Sequence, residues 1–143
     1  MNSEKKPATI FEDVQINIKI KLAILWATLM FIYIYVDFFK FFEPGTLEEI
    51  LDGRVWEFEI TQVWAISAMI MMTIPSLMVF LSLALKANVN RKVNIVMGIL
   101  HIAVAIANVI GETWAYYIFG GIVEVALLSL IIWYSWHWPK QEA

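Results

Sequence analysis

The chain has no cysteine. Disulfides, thiol catalysis, iron–sulfur clusters and cysteine–zinc sites are therefore excluded. Charge is scarce as well: 16% of the 143 residues are Asp, Glu, Lys or Arg, against about 25% in ordinary soluble domains. No nucleophile elbow, phosphate loop or zinc-protease helix occurs, so no catalytic residue, cofactor or metal is expected. Histidine occurs only at His101 and His137, the latter at the far boundary of the last apolar run, which argues against haem ligation by two histidines. Nothing points to nucleic acid. Residues 1–21 are polar and charged, without a short apolar core and a small-residue cleavage site, so no cleavable signal peptide is expected.

What the chain has instead is apolar length. Hydrophobic residues make up 61% and the mean hydropathy is +0.71. They fall in four runs, at about 22–42, 60–85, 93–111 and 114–136. Each is long enough to cross a hydrocarbon core, which takes roughly 20 helical residues. The runs do not alternate as barrel strands would, so helices are expected. The fold class is all-α: a single domain over residues 1–143, built as an integral membrane four-helix bundle whose partner is the lipid bilayer.

Thr9 and Glu12 have capping-box spacing, and Ile10, Phe11, Val14 and Ile18 recur at helical spacing. They predict a short cytoplasmic amphipathic helix on the membrane surface, leading into the first span. The run from Lys40 to Glu59 is an acidic extracytoplasmic loop holding Glu43, Glu48, Glu49, Asp52, Glu57 and Glu59 against Lys40 and Arg54. It reads as a solvated segment, with a cation-attracting vestibule as the alternative. Thr46 and Glu49 predict a capped short helix there, ended by Gly53. In the second run Pro75 predicts a kink, with Thr73 and Ser76 placed to satisfy loosened backbone groups.

Eight basic residues (Lys5, Lys6, Lys19, Lys21, Lys86, Arg91, Lys92, Lys140) fall on one side of this topology and two, Lys40 and Arg54, on the other. Basic residues stay in the cytoplasm, so both termini are expected inside. On the third run Ala103, Ala107 and Gly111 form a small-residue row, expected at a tight helix contact with a neighbouring span or a second copy. A homo-oligomer or a membrane partner protein is the protein partner this row would serve.

The chemistry is expected where ionisable groups interrupt the apolar runs. A charge at the centre of a spanning helix costs roughly 2.5–3.5 kcal/mol. Glu124 is the deepest. At 1.5 Å per residue, His101 lies at roughly 12 Å from the cytoplasmic ends of the predicted spans, Glu124 at roughly 18 Å and Asn108 at roughly 22 Å. Facing inward, Glu124, His101, Asn108, Tyr33 and Thr73 would form one middle layer able to bind a proton, a cation or a small polar molecule. Asp37 and Glu112 complete the candidates, nearer the outer surface. The structural alternative is that Glu124 hydrogen-bonds Asn108 or Tyr33 as helix glue and that His101 is an ordinary interior histidine.

Tyr33-Ile34-Tyr35-Val36-Asp37, Ile74-Pro75-Ser76-Leu77-Met78, Lys86 with Asn90-Arg91, and the closing Trp133-Tyr134, Trp136-His137-Trp138-Pro139-Lys140 resemble an uncharacterised family of small four-helix bacterial inner-membrane proteins, from about Phe11 to the end. The layout is more distantly DoxX-like, a group in which some members are membrane subunits of quinone-linked oxidoreductases. The resemblance implies a bacterial inner-membrane location and transfers no catalytic residue. It leaves three classes open: transport or binding through a central carboxylate, a non-enzymatic accessory protein, and a quinone- or lipid-handling redox subunit.

Overall fold

A computed structural model describes residues 13–140. Lipid offers a backbone no hydrogen bonds, so each apolar run closes its own ladder as a helix. Four helices are long and apolar enough to cross a membrane: α1 (Ile18–Lys40), α3 (Gln62–Ala84), α4 (Ala87–Val109) and α5 (Ala115–Trp136). Between α1 and α3 lie a short helix, α2 (Thr46–Leu51), and a minimal antiparallel hairpin of β1 (Arg54–Val55) and β2 (Phe58–Glu59). The outward faces carry Phe31, Ile34, Ile66, Ile70, Phe80, Ile99 and Ile122, each more than half exposed. Polar groups such as Asn90, Asn94, His101 and Glu124 lie inside. That is the distribution of a multi-pass membrane protein.

The helix ends are chemically defined. The Asn17 side chain accepts from the Lys19 backbone N–H at 2.9 Å, and Thr61 Oγ1 accepts from that of Trp64 at 3.1 Å. Each satisfies one of the amides a helix start leaves free. α1 therefore starts at Ile18, and residues 13–17 form no helix. Of the predicted lead-in helix, Thr9 to Glu12 fall outside the described residues, while Ile18, Lys19 and Lys21 belong to the span itself. The short loop helix is present, but Gly45, in the left-handed region at φ 92°, stands at its start rather than a Thr46 cap.

α1 packs against α3 and α5, and α4 packs against α5. α3 and α4 follow one another through Leu85 and Lys86, yet touch sparsely. Antiparallel α1 and α3 are tied at one end, where Lys19 Nζ donates to the carbonyls of Leu83 (3.2 Å) and Leu85 (2.7 Å). Lys21 lies over the Tyr134 ring and Arg91 over that of Trp136 at this same end, which is the basic end of the bundle. The loop, α2 and the hairpin cover the acidic end.

Packing differs between the two halves. The basic half is dense: Leu22, Trp26, Leu29, Leu128 and Ile131 are wholly buried and Met78 nearly so. A polar knot crosses it. Trp26 Nε1 donates to Asn94 Oδ1 (2.7 Å), Asn94 Nδ2 to Asn90 Oδ1 (2.6 Å), and Asn90 Nδ2 to the Ser82 carbonyl (2.6 Å), joining α1, α3 and α4. The hydrophobic effect does not hold helices together in lipid, so such bonds and close packing carry the association. Close packing runs through glycine. A Cβ at Gly98 would come 2.7 Å from Ile132 Cγ1, one at Gly121 2.5 Å from Val109 Cγ2, and one at Gly120 would collide with Val36 Cγ2. The row Ala103, Ala107, Gly111 is exposed instead. Its expected contact with a neighbouring span is absent among the described residues, because α4 turns its Gly98–His101–Ala105 face to α5 and α1. α3 runs unbroken through Pro75; Thr73 Oγ1 and Ser76 Oγ donate to the carbonyls of Met69 (2.7 Å) and Met72 (2.8 Å) in their own helix.

Candidate functional site

Starting α4 at Ala87 rather than 93 moves its polar residues by about a turn and a half. Counted from the basic ends of the observed helices, His101 lies at roughly 21 Å, Tyr33 at roughly 22 Å and Glu124 at roughly 18 Å, a single level. Asn108 shifts outward to roughly 31 Å, near Asp37 at roughly 28 Å. The expected middle layer thus resolves into an inner tier of Tyr33, His101 and Glu124 and an outer tier of Asp37 and Asn108.

These five, with Tyr117, line a small cavity of about 30 Å³ whose apolar wall includes Val36, Met72 and Val104. Its size suits one or two waters or an ion of similar volume. Glu124 is 6% exposed and receives no hydrogen bond from the described residues; its carboxyl lines the cavity. It bonds neither Asn108 nor Tyr33, so the glue expectation finds no bond to support it. His101 is 1% exposed. Its Nδ1 lies 3.3 Å from Tyr33 Oη, its ring meets Trp26 edge-on, and its Nε2 has no partner among the described residues. Thr73 does not line the cavity, its hydroxyl being committed to the Met69 carbonyl.

Asp37, Met72, Asn108 and Tyr117 also line a larger cavity of about 560 Å³ beneath the loop. The loop is thus a lid over a vestibule. α3 supplies Trp64 and Ala68, the hairpin Arg54, Val55, Trp56 and Phe58, and the segment around α2 Glu43, Pro44, Thr46 and Glu49. The vestibule and the inner cavity share a wall at Asp37 and Asn108.

Glu112, by contrast, is a fastener. Lys40 Nζ reaches Glu112 Oε2 at 2.8 Å and Glu43 Oε2 at 2.9 Å, and Tyr116 Oη donates to Glu43 Oε1 at 2.6 Å. Glu112 Oε1 accepts the backbone N–H of Thr113 (2.8 Å) and Trp114 (3.0 Å), closing the α4–α5 turn at Gly111. Burial pushes the Glu112 carboxyl up. The Lys40 hydrogen bond, the two N–H donors and the Lys40 charge outweigh burial and hold it below the usual glutamate range.

Sequence reasoning missed Tyr117, the Lys40–Glu112 pair and the Asn90–Asn94 knot. The knot had a signal: Asn90 and Asn94 continue the stripe of Gly98, His101, Ala105 and Asn108 backward at helical spacing. The ion pair had none, since its partners stand 72 residues apart. Among the described residues no three His, Asp or Glu side chains gather as a metal site.

No curated protein and no solved structure matches the chain. Residues 8–143 match DUF6326, described as a family of unknown function. A four-span helical chain matched over all but its first few residues therefore belongs to that uncharacterised family.

Proposed function

We propose that this protein takes up a proton or a small monovalent cation at Glu124 from the acidic end, through the vestibule and past Asp37 and Asn108. The observation that carries the reading is Glu124 itself: a mid-helix carboxyl, 6% exposed, lining a cavity next to the vestibule and receiving no hydrogen bond from the described residues. A carboxyl set in a membrane span without a partner is a functional group by default. The dense basic half, with Trp26, Leu22 and Leu29 fully buried, supports access from one side only. On this reading the arrangement is the loaded-from-outside half of a transport or sensing cycle. The chain acts as one unit in a bacterial inner membrane, termini in the cytoplasm and lid outside. The distant DoxX-like layout adds no residue to the reading.

The test is an infrared titration of the full chain in lipid. The carbonyl band of a protonated carboxylic acid should appear as pH falls, and Glu124→Gln, which keeps shape and most hydrogen bonding, should delete one component of it. In proteoliposomes the wild type should then show pH-dependent proton or sodium movement that Glu124→Gln abolishes. A folded Glu124→Gln protein with an unchanged band and unchanged flux would overturn the reading.

A further inference from the structure

We propose that the vestibule is a binding site for a monovalent organic ammonium ion, its charged end at Asp37 and its apolar body against Trp56, Phe58 and Trp64. This goes beyond uptake at Glu124 and does not depend on it. The two cavities differ too much in size for one occupant: about 560 Å³ against about 30 Å³. The larger falls in the range of small-molecule sites, about 300–1,000 Å³. An organic ion held there would stop at the shared wall formed by Asp37, Asn108 and Tyr117.

The chemistry of the wall is already displayed by the chain's own Lys40. Its ammonium sits 5.1 Å from the centre of the Tyr117 ring and 5.7 Å from that of Trp56, between two carboxylates at 2.8 and 2.9 Å. Aromatic faces attract cations through their negative quadrupole, and carboxylates do so through charge. Lys40 occupies Glu43 and Glu112, so those acids are spoken for. Asp37 is not: it faces the vestibule and has no hydrogen bond or ion pair among the described residues. Of the charged side chains lining the space, three are acidic (Asp37, Glu43, Glu49) and two basic (Lys40, Arg54). The acidic surplus favours a cation over an anion.

The hairpin supplies an independent observation. Trp56 stands at φ 54°, in the left-handed region, and no other non-glycine residue among those described does so. A bulky side chain there is uncommon, and such strain clusters at ligand clamps. Here it turns a large ring, 43% exposed, over the vestibule toward Lys40 and Tyr117. The two-residue turn between Val55 and Phe58 calls for a positive φ at its first central residue, and the chain sets a tryptophan there where glycine would be unstrained.

The probe is radiolabelled phenyltrimethylammonium, which has distinct charged and apolar ends and is too large for the inner cavity, in equilibrium dialysis against the purified full chain in detergent. Sodium chloride at matched ionic strength serves as the control. Binding should be saturable. Asp37→Asn and Trp56→Ala should each weaken it by about tenfold or more, while Trp56→Phe, which keeps an aromatic face, should stay within about threefold. Circular dichroism and gel filtration confirm that each variant is folded. Should Asp37→Asn fail to fold, the Trp56→Ala and Trp56→Phe pair decides alone. Non-saturable uptake, or saturable uptake that both substitutions leave unchanged, would mean partition at the micelle and would overturn the proposal. The infrared band of Glu124 is read separately, so failure of either idea leaves the other standing.

Discussion

Lys40 illustrates how one side chain organises an end of a membrane bundle. It ends α1, bridges the loop through Glu43, and reaches the α4–α5 turn through Glu112. Single surface ion pairs contribute little, but this one is a network of one ammonium, two carboxylates, two aromatic rings and a tyrosine hydroxyl. Glu112 also carries a pH signature. Its carboxyl is held below the usual range in the folded protein, whereas unfolded it titrates near about 4.3. A depressed folded value means that the deprotonated form stabilises the fold. The contribution is complete above the unfolded value and is lost as pH falls through the lower, folded one. The wild type should therefore lose thermal stability in detergent more steeply below about pH 4.3 than Glu112→Gln. Melting temperatures of the two, measured from pH 7 downward, should converge in acid. A gap that stays constant would show that Glu112 acts through shape and not through charge.

At the scale of elements, the four spans and their order were legible in the sequence, because a run of apolar residues in lipid has one structural solution. The starts of the helices were less so. Ala87 to Lys92 is a polar stretch, and polarity reads as a turn; the structure makes it about a turn and a half of helix, with the Asn90 amide wholly buried and bonded to the Ser82 carbonyl. That shift split the expected polar layer into an inner and an outer tier, and it explains why Asn108 sits at the cavity mouth. Small residues pointed to a neighbouring span or a second copy, and the described residues hold no such contact with a span. Ala103, Ala107 and Gly111 have the right spacing for close approach, yet spacing alone does not say which face a helix presents. The glycines that do bring helices together are Gly98, Gly120 and Gly121. Gly120→Val should force α5 away from α1 at Val36 and destabilise by about 1–3 kcal/mol, the usual cost of overpacking. Val36→Ala removes the colliding methyls, so the double variant should recover part of the loss, an expected coupling of about 0.5–3 kcal/mol. Thermal unfolding of the four proteins measures it. Simple additivity would mean that the α1–α5 approach is looser than the Gly120–Val36 contact implies.

For the whole molecule, the asymmetry between the two ends carries the argument. At one end Lys19, Lys21 and Arg91 grip helix-end carbonyls and aromatic rings, and the core behind them is sealed. The other end is lidded by an acidic, aromatic segment over a vestibule that adjoins a buried carboxyl. The two ends hold different chemistry, so the direction of insertion decides which compartment the vestibule samples. Basic flanks within about 15–20 residues of a span end stay in the cytoplasm because translocating them is unfavourable. Eight basic residues belong to the sealed end and its flanking termini and two to the lidded one, Lys40 and Arg54; Lys40 is moreover bonded to Glu43 and Glu112. Insertion should therefore place the sealed end inside and the vestibule outside. A periplasm-active reporter fused after Glu49 should be active and the same reporter fused after Ala143 silent, with a cytoplasm-active reporter giving the reverse. Both positions on one side would break the four-span count, and an exchanged pattern would turn the vestibule toward the cytoplasm, so that uptake at Glu124 would begin from there. Lys40→Glu with Arg54→Glu should leave the pattern intact, whereas moving positive charge into the loop, as in Glu48→Lys with Glu49→Lys and Asp52→Lys, should erode it, because orientation follows the count of basic residues rather than net charge.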